Sequence, residues 1–321
     1  MDKKLFKSAV LSTVVAAAAM TAMSLTPASA ASAPLCGARI AVHFDLAAGQ
    51  TPENVALAPG GALAVTFAKG RQIAEVSPRG AVRVLATLPE PADRGAHTPA
   101  LGFPLTVGIT RAADGTLYFL YATGTSDLTG VWRLRPGGRP ERIASLPANG
   151  LPNGLALDPS TGMLYVSDSV LGTIWRVPRT GGTPTAWSTA PELAAEGFLG
   201  VNGLQLRDGS VWATNLDKGT VLRIPIRRNG SAGETRTVAT GLTGIDDFAF
   251  TGNGNQLLAT LDAPNEVVLV QPDGSHSTVL TAADGLQNPT SVAVRGDTVY
   301  VLSAAYVTAD DPNLTVAHLG R

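Results

Sequence analysis

The sequence predicts an all-β protein folded as a six-bladed β-propeller, and three observations carry that prediction. Apolar stretches of strand length alternate with turns rich in Gly, Pro, Asn and Asp, at spacings of about eight to twelve residues. A unit of up to four strands recurs six times, at intervals of 44 to 52 residues. No stretch beyond residue 30 carries the apolar period of an amphipathic helix.

Taken in order, the first element is not part of the fold. Residues 1–30 have a basic head (Lys3, Lys4, Lys7), an apolar run and a small-residue ending at Ala28–Ala30. That is the pattern of a secretory signal peptide cut after Ala30. The run is short and rich in Ala and Thr, which argues against a retained membrane anchor. The mature chain, 31–321, is therefore expected to be secreted, in the extracellular or cell-wall or periplasmic space, and free of the membrane. Losing the leader's three Lys and one Asp takes the formal charge from −1 to −3. No basic stripe is present, which excludes nucleic acid as a partner. Cys36 is the single cysteine, so no intrachain disulfide can form; it is expected to be a buried or idle thiol in a monomer, with a disulfide-linked dimer as the alternative.

The six units open with "TPENVAL" (51–57), "FPLTVGI" (103–109), "LPNGLAL" (151–157), "GVNGLQL" (200–206), "GIDDFAF" (244–250) and "NPTSVAV" (288–294). Each is followed by a turn and a second strand, such as "MLYVSDS" or "SVWATNL", and then by a third, such as "GTIWRVP". A fourth strand closes five of the units, whereas the sixth runs out after three. Its missing strand is expected at the other end of the mature chain, where "ARIAVHFDL" (38–46) precedes the first unit. Pairing there would close the ring and remove a sheet edge. Residues 31–321 are thus expected to form one domain.

The third position of the six opening segments holds Glu53, Leu105, Asn153, Asn202, Asp246 and Thr290. In a propeller the first strand of each blade lines the central channel. Glu53, Asn153, Asn202 and Asp246 should therefore meet at one channel mouth. They offer only hard oxygen donors, which suit Ca2+, with Mg2+ or Mn2+ as alternatives; Zn2+ is disfavoured because the column holds no His or Cys. Asn and Asp before strands also close turns through their own backbone. That accounts for the two Asn but not for Glu53, since Glu is a weak turn former.

The repeats, the string "LPNGLALDPSTGMLYVSDS" and the ordered column Glu53, Asn153, Asn202, Asp246 resemble the gluconolactonase and senescence-marker-protein (regucalcin) family, with paraoxonase-like and bacterial lactonases as wider relatives. The resemblance covers nearly all of the mature chain. It implies a six-bladed propeller with one divalent cation, usually calcium or zinc, at the channel mouth, and hydrolysis of lactones or related esters. It implies Glu53, Asn202 and Asp246 as core metal ligands, Asn153 as a further ligand or substrate contact, and Asp247 as an additional polar ligand. Two departures, "TPENV" in place of Glu-Gly-Pro and no Arg before Asn153, mean that sugar-acid lactone specificity is not implied.

The chemistry expected of such a site is carbonyl polarisation by the ion and attack by an activated water. Asp246 is the family's usual proton acceptor; His97, in the long loop 89–102 on the mouth face, is the other candidate. Asp168, Asn215 and Asp262 fall in loops expected at the same mouth, and His43, His276 and His318 are expected to be structural. No serine sits in a nucleophile elbow, and the Gly pairs precede strands rather than helices, so serine hydrolysis and phosphate cradling are excluded. The competing readings are a non-catalytic binding propeller of the NHL-repeat type and a streptogramin-lyase-like propeller, which would need a seventh blade and a channel histidine.

Overall fold

The computed structural model describes residues 34–92 and 98–320. The signal-peptide stretch 1–30 and His97 lie outside these residues. Six four-stranded antiparallel sheets make up the fold. Blade 1 holds β2 (Pro52–Leu57), β3 (Leu63–Phe67), β4 (Gln72–Val76) and β5 (Val82–Thr87); blade 2 holds β6 (Leu105–Arg111), β7 (Leu117–Ala122), β8 (Gly130–Leu134) and β9 (Glu141–Ser145). Blade 3 comprises β10 (Pro152–Asp158), β11 (Met163–Asp168), β12 (Thr173–Pro178) and β13 (Thr185–Ser188), and blade 4 comprises β14 (Val201–Arg207), β15 (Ser210–Asn215), β16 (Thr220–Pro225) and β17 (Arg236–Ala239). Blade 5 is β18 (Ile245–Phe250), β19 (Leu257–Leu261), β20 (Glu266–Val270) and β21 (His276–Leu280). Blade 6 takes β22 (Pro289–Arg295), β23 (Thr298–Ser303) and β24 (Asn313–Leu319) from the end of the chain, and its fourth strand, β1 (Leu35–His43), from the beginning.

The closure is antiparallel, running from Leu35 opposite Leu319 to His43 opposite Asn313. It ties the two ends of the folded chain through one ladder. Cys36 lies on this outermost strand and is exposed. The expectation of a buried thiol is thus corrected: an outer strand has no further blade to cover it.

Cohesion comes from six apolar layers, each shared by two neighbouring blades. Phe119 and Trp132 of blade 2 pack on Ile73 and Leu88 of blade 1; Leu155 and Val166 of blade 3 pack on Leu120 and Val131 of blade 2. The same arrangement joins blades 3 and 4, 4 and 5, and 5 and 6. Val42, Leu302 and Leu314 then meet Leu63 and Val65, so the last blade seals against the first. Each blade buries both faces, which is why its second strand reads as continuously apolar, as in "LYFLYA", rather than alternating. Among the described residues no helix is long and apolar enough to cross a membrane.

All six inner strands carry one extra residue near their start. Between Pro152 and Leu155 the strand advances three residues while its partner advances two, from Asp168 to Val166. The same shift occurs at Pro52/Val55, Thr106/Ile109, Val201/Leu204, Ile245/Phe248 and across Pro289/Val292. A bulge of this kind re-aims the side chains within it. The bulged residues are Glu53, Val107, Asn153, Asn202, Asp246 and Thr290. In blade 2 this corrects the position expected for Leu105: the strand sits two residues further on. A shift of two leaves every side chain on the same face, so apolar alternation alone does not register it.

Candidate functional site at one mouth of the channel

The bulges are held open by hydroxyls from the second strands. Ser167 accepts from the Gly154 amide at 2.7 Å and donates to the Asn202 carbonyl of the next blade at 2.5 Å. Thr214 repeats this with Gly203 (2.8 Å) and the Asp246 carbonyl (2.5 Å). Thr260 accepts from the Asp247 amide at 3.2 Å and donates to the Thr290 carbonyl at 3.1 Å, and Thr66 accepts from the Asn54 amide at 3.0 Å. Each hydroxyl satisfies a buried bulge amide, and three of them also lace one blade to the next. The hydroxyls stand in blades 1, 3, 4 and 5, the blades that carry Glu53, Asn153, Asn202 and Asp246. In blades 2 and 6 the same place is taken by Leu120 and Leu302. Thr214→Val should therefore cost about 2 kcal/mol or more, because it strands a buried amide and a buried carbonyl; denaturant unfolding measures it.

Glycines complete the packing. A Cβ at Gly154 would fall on the Asn202 carbonyl, and one at Gly203 on an Asp247 carboxylate oxygen. The "NG" pairs of blades 3 and 4 thus place the amide of the Asn at the mouth and leave room for the neighbouring strand one level down.

Glu53, Asn153, Asn202 and Asp246 are all buried. The Asn202 side chain hydrogen-bonds Asp246. Tyr306, from the loop between β23 and β24, donates its hydroxyl to Glu53 Oε2 at 2.5 Å. The Asn153 amide makes no hydrogen bond among the described residues and is free to take a ligand. Asp247 lies one level deeper: it accepts from Asn54 Nδ2 of blade 1, two blades round the ring, at 3.3 Å, and from the Phe248 amide at 2.8 Å. Asp262, just past the end of β19, adds a fourth carboxylate whose charge is felt by Glu53 and Asp246.

At the mouth ends of the blades, Ala68, Leu105, Leu151 and Leu199 belong to one buried apolar cluster, the apolar collar, with Leu101, Phe103, Leu216 and Tyr306 packed against it. Lys69 is the cation nearest this collar in the described contacts, with Nζ 5.5 Å from the Phe103 ring centre and 5.6 Å from that of Tyr306. Among the described residues no ion pair reaches Glu53, Asp246, Asp247 or Asp262.

Charge crowding follows. Burial, opposed by the Tyr306 hydrogen bond and reinforced by Asp262 and Asp247, pushes Glu53 up to about 8. Burial and then repulsion from Glu53, Asp262 and Asp247 hold Asp246 well above the usual carboxylate range. Burial lifts Asp247 to about 7 and Asp262 to about 6. Carboxylates that resist ionisation for want of a counter-charge fit a divalent cation, and the available donors are hard oxygens. His, Cys, Asp and Glu side chains alone form no group of three able to hold an ion among the described residues, so the amides of Asn202 and Asn153 would have to share in holding it.

Other residues expected at the mouth serve the scaffold. Asp168 accepts from the amides of Leu151 (2.9 Å) and Leu171 (3.0 Å), and Asn215 donates to the carbonyls of Glu192 (2.9 Å) and Ala194 (3.0 Å). His43 pairs with Asp311 at 2.7 Å on the outer edge of blade 6, and His276 and His318 sit on β21 and β24, away from the inner strands. Asn54 and Tyr306 are site residues that the sequence reading missed. Asn54 had a usable signal, a polar residue following Glu53 as Asp247 follows Asp246; Tyr306 had none.

A propeller with a buried cluster of carboxylates and amides under an apolar collar is the class this geometry defines. No family model matches the sequence, and no curated protein is found similar to it. Solved structures share the fold. A gluconolactonase from Xanthomonas campestris superposes with a TM-score of 0.61 at 16% identity, over 90% of this chain and 96% of that one. Regucalcin from Agrobacterium tumefaciens, a calcium-binding protein, gives 0.61 at 15%, over 85% and 92%. A catalytically inactive histidine-to-alanine variant of virginiamycin B lyase from Staphylococcus aureus gives 0.60 at 16%, over 85% and 82%. At such identities the likeness concerns the fold; the chemistry has to be argued from this chain's own residues.

Proposed function

We propose that this protein is a secreted, monomeric hydrolase that depends on a divalent cation, most simply Ca2+, to open lactones or related esters at the channel mouth. The observation that carries the reading is the convergence of Glu53 and Asp246, both buried, with the Asn202 amide on Asp246 and no ion pair to either among the described residues. The gluconolactonase and regucalcin neighbours are consistent with it. The lyase alternative finds no histidine on the inner strands among the described residues.

Glu53, Asn202 and Asp246 would hold the ion, Asn153 would complete or extend the set, and Asp247 would act from beneath through its charge. When bound, the ion would supply Lewis-acid stabilisation of the negative charge that grows on the carbonyl oxygen. The residues supply the rest. The Tyr306 hydroxyl, from the neighbouring blade 6, fixes the rotamer of Glu53. The collar excludes bulk water and gives an apolar wall against which the carbon skeleton of a small lactone packs. The laced bulges hold the donors rigidly, so little reorganisation is needed as charge develops.

Elemental analysis of the mature chain, together with turnover of γ- and δ-lactones and 4-nitrophenyl esters with and without chelator, tests the reading. The expected result is one equivalent of a divalent metal and turnover that chelation abolishes and Ca2+ restores. A metal-free chain, inactive on the whole panel with or without added ions, would point instead to a non-catalytic binding propeller.

A further inference from the structure

We infer that Asp262 is the catalytic base of the site, taking the proton of the attacking water; the inference rests on the hydrolase reading above. One position is repeated around the ring. In five blades the residue that follows the second strand donates its amide to the carbonyl of the residue two places before the bulged one. Ala68 bonds Thr51 (2.8 Å), Ser169 bonds Leu151 (2.9 Å), Leu216 bonds Gly200 (3.1 Å), Asp262 bonds Gly244 (2.9 Å) and Ala304 bonds Asn288 (3.0 Å). The position lies at the end of the ring where the inner strands begin. Leu216 joins the collar, and Ser169 donates to the Val201 carbonyl of the next inner strand at 2.7 Å. Only in blade 5 is this position charged.

The scaffold engages that charge through one neutral side chain, that of Asn288. The blade 3 turn is tied by the Asp168 carboxylate, which accepts from the Val170 and Leu171 amides, whereas the Asp262 turn uses its backbone, with its carbonyl accepting from the Asn265 amide at 3.1 Å and from Asn288 Nδ2 at 3.4 Å. Asp262 Oδ1 is buried and has no hydrogen-bond partner. The carboxylate nevertheless acts on Glu53, Asp246 and Tyr306, each of which it perturbs. A buried oxygen without a donor, on a carboxylate close enough to perturb the other site residues, is a place for a water molecule.

The division of labour is chemically coherent. A carboxylate bound to a cation is a weak base, which counts against Asp246 in that role. Asp262 stands outside the set expected to hold the ion. Burial lifts it to about 6, in the range where a base is ionised near neutrality yet still basic enough to act. As the water oxygen bonds to the acyl carbon, Asp262 accepts one proton. As the bond from that carbon to the ring oxygen breaks, the same proton passes to the ring oxygen, giving the hydroxy acid, whose carboxyl proton leaves to solvent.

Wild-type turnover on the lactone and ester panel is read first; its absence defeats the hydrolase reading and this inference with it. In an active enzyme, Asp262→Asn should lower kcat/KM at least 100-fold, abolish the acid limb of its pH profile and leave the Ca2+-dependent rise in Tm intact. Asp262→Ala should regain part of the lost rate with added formate, a result that a purely structural role would not produce. Turnover of Asp262→Asn within tenfold of wild type would overturn the assignment. So would loss of the Ca2+ response, which would make Asp262 a ligand instead, or failure of formate to rescue Asp262→Ala.

Discussion

Asp246→Asn should yield a protein that is inactive and, without metal, more stable than the wild type. The replacement has nearly the same shape, and an Asn at 246 still offers an oxygen to the Asn202 amide that now bonds Asp246. What it removes is a buried charge that Glu53, Asp262 and Asp247 all oppose. In chelated protein at pH 8 the variant should therefore melt at or above the wild-type temperature, since a buried like charge costs stability that a neutral amide does not. The same change removes one of the two carboxylates expected to balance a divalent ion. Added Ca2+ should then raise Tm far less than in wild type, and lactone turnover should fall on the order of 10³-fold, the scale of losing a main electrostatic contributor to a transition state. Melting curves with and without Ca2+, alongside kcat/KM, read all three effects. A gain in stability coupled to a loss of activity marks a functional site rather than a structural one. Turnover within tenfold of wild type would remove the column from the chemistry.

The parts of this architecture that were legible in the sequence are those encoded locally. Strand patterning, turn residues and the repeat interval specify blades, and the three-strand sixth unit points to closure by a strand from the other end. The polar column was legible because Glu53, Asn153, Asn202 and Asp246 occupy one place in a repeat, where turn chemistry explains only some of them. Blade 2 shows the limit of such alignment, since a two-residue offset preserves every facing and Val107 takes the bulge in place of Leu105. The lacing hydroxyls were within reach, as "VTF", "VSDS", "ATNL" and "ATLD" all place Ser or Thr near the end of the second strand. Their meaning depends on the bulge, which strand patterning does not display. Tyr306 on Glu53 spans 253 residues and Asn54 on Asp247 spans 193. Such contacts are set by ring closure, and nothing in the neighbourhood of either residue announces them. Asp262 looked like one more turn residue among several; what separates it from Asp168 is a hydrogen-bond inventory that only the folded chain supplies.

The second large effect expected is a pH dependence of stability that a divalent cation inverts. In the unfolded chain the carboxylates titrate at roughly 4. In the folded, cation-free chain Asp262 titrates at about 6, Asp247 at about 7 and Glu53 at about 8, with Asp246 also well above its usual range. Between roughly pH 4 and 8 the native state thus binds more protons than the unfolded state, and stability falls as pH rises through that window. On the acid side other groups act in the opposite sense. Burial alone would raise Asp217, but amides of Phe198, Glu196, Leu199 and Gly197 outweigh it and hold the group low. Its contribution is present above the unfolded value and is lost as pH falls through the folded one. Chelated protein should therefore melt highest near pH 5 and progressively lower toward pH 8. A bound cation needs the site carboxylates ionised, so its stabilisation should grow over the same interval. Added Ca2+ should barely shift Tm at pH 5 and should raise it strongly at pH 8. Melting curves across pH 4.5 to 8.5, in chelator and in millimolar Ca2+, decide the matter. A chelated chain equally stable at both ends, and indifferent to the ion, would mean that these carboxylates do not share one buried site.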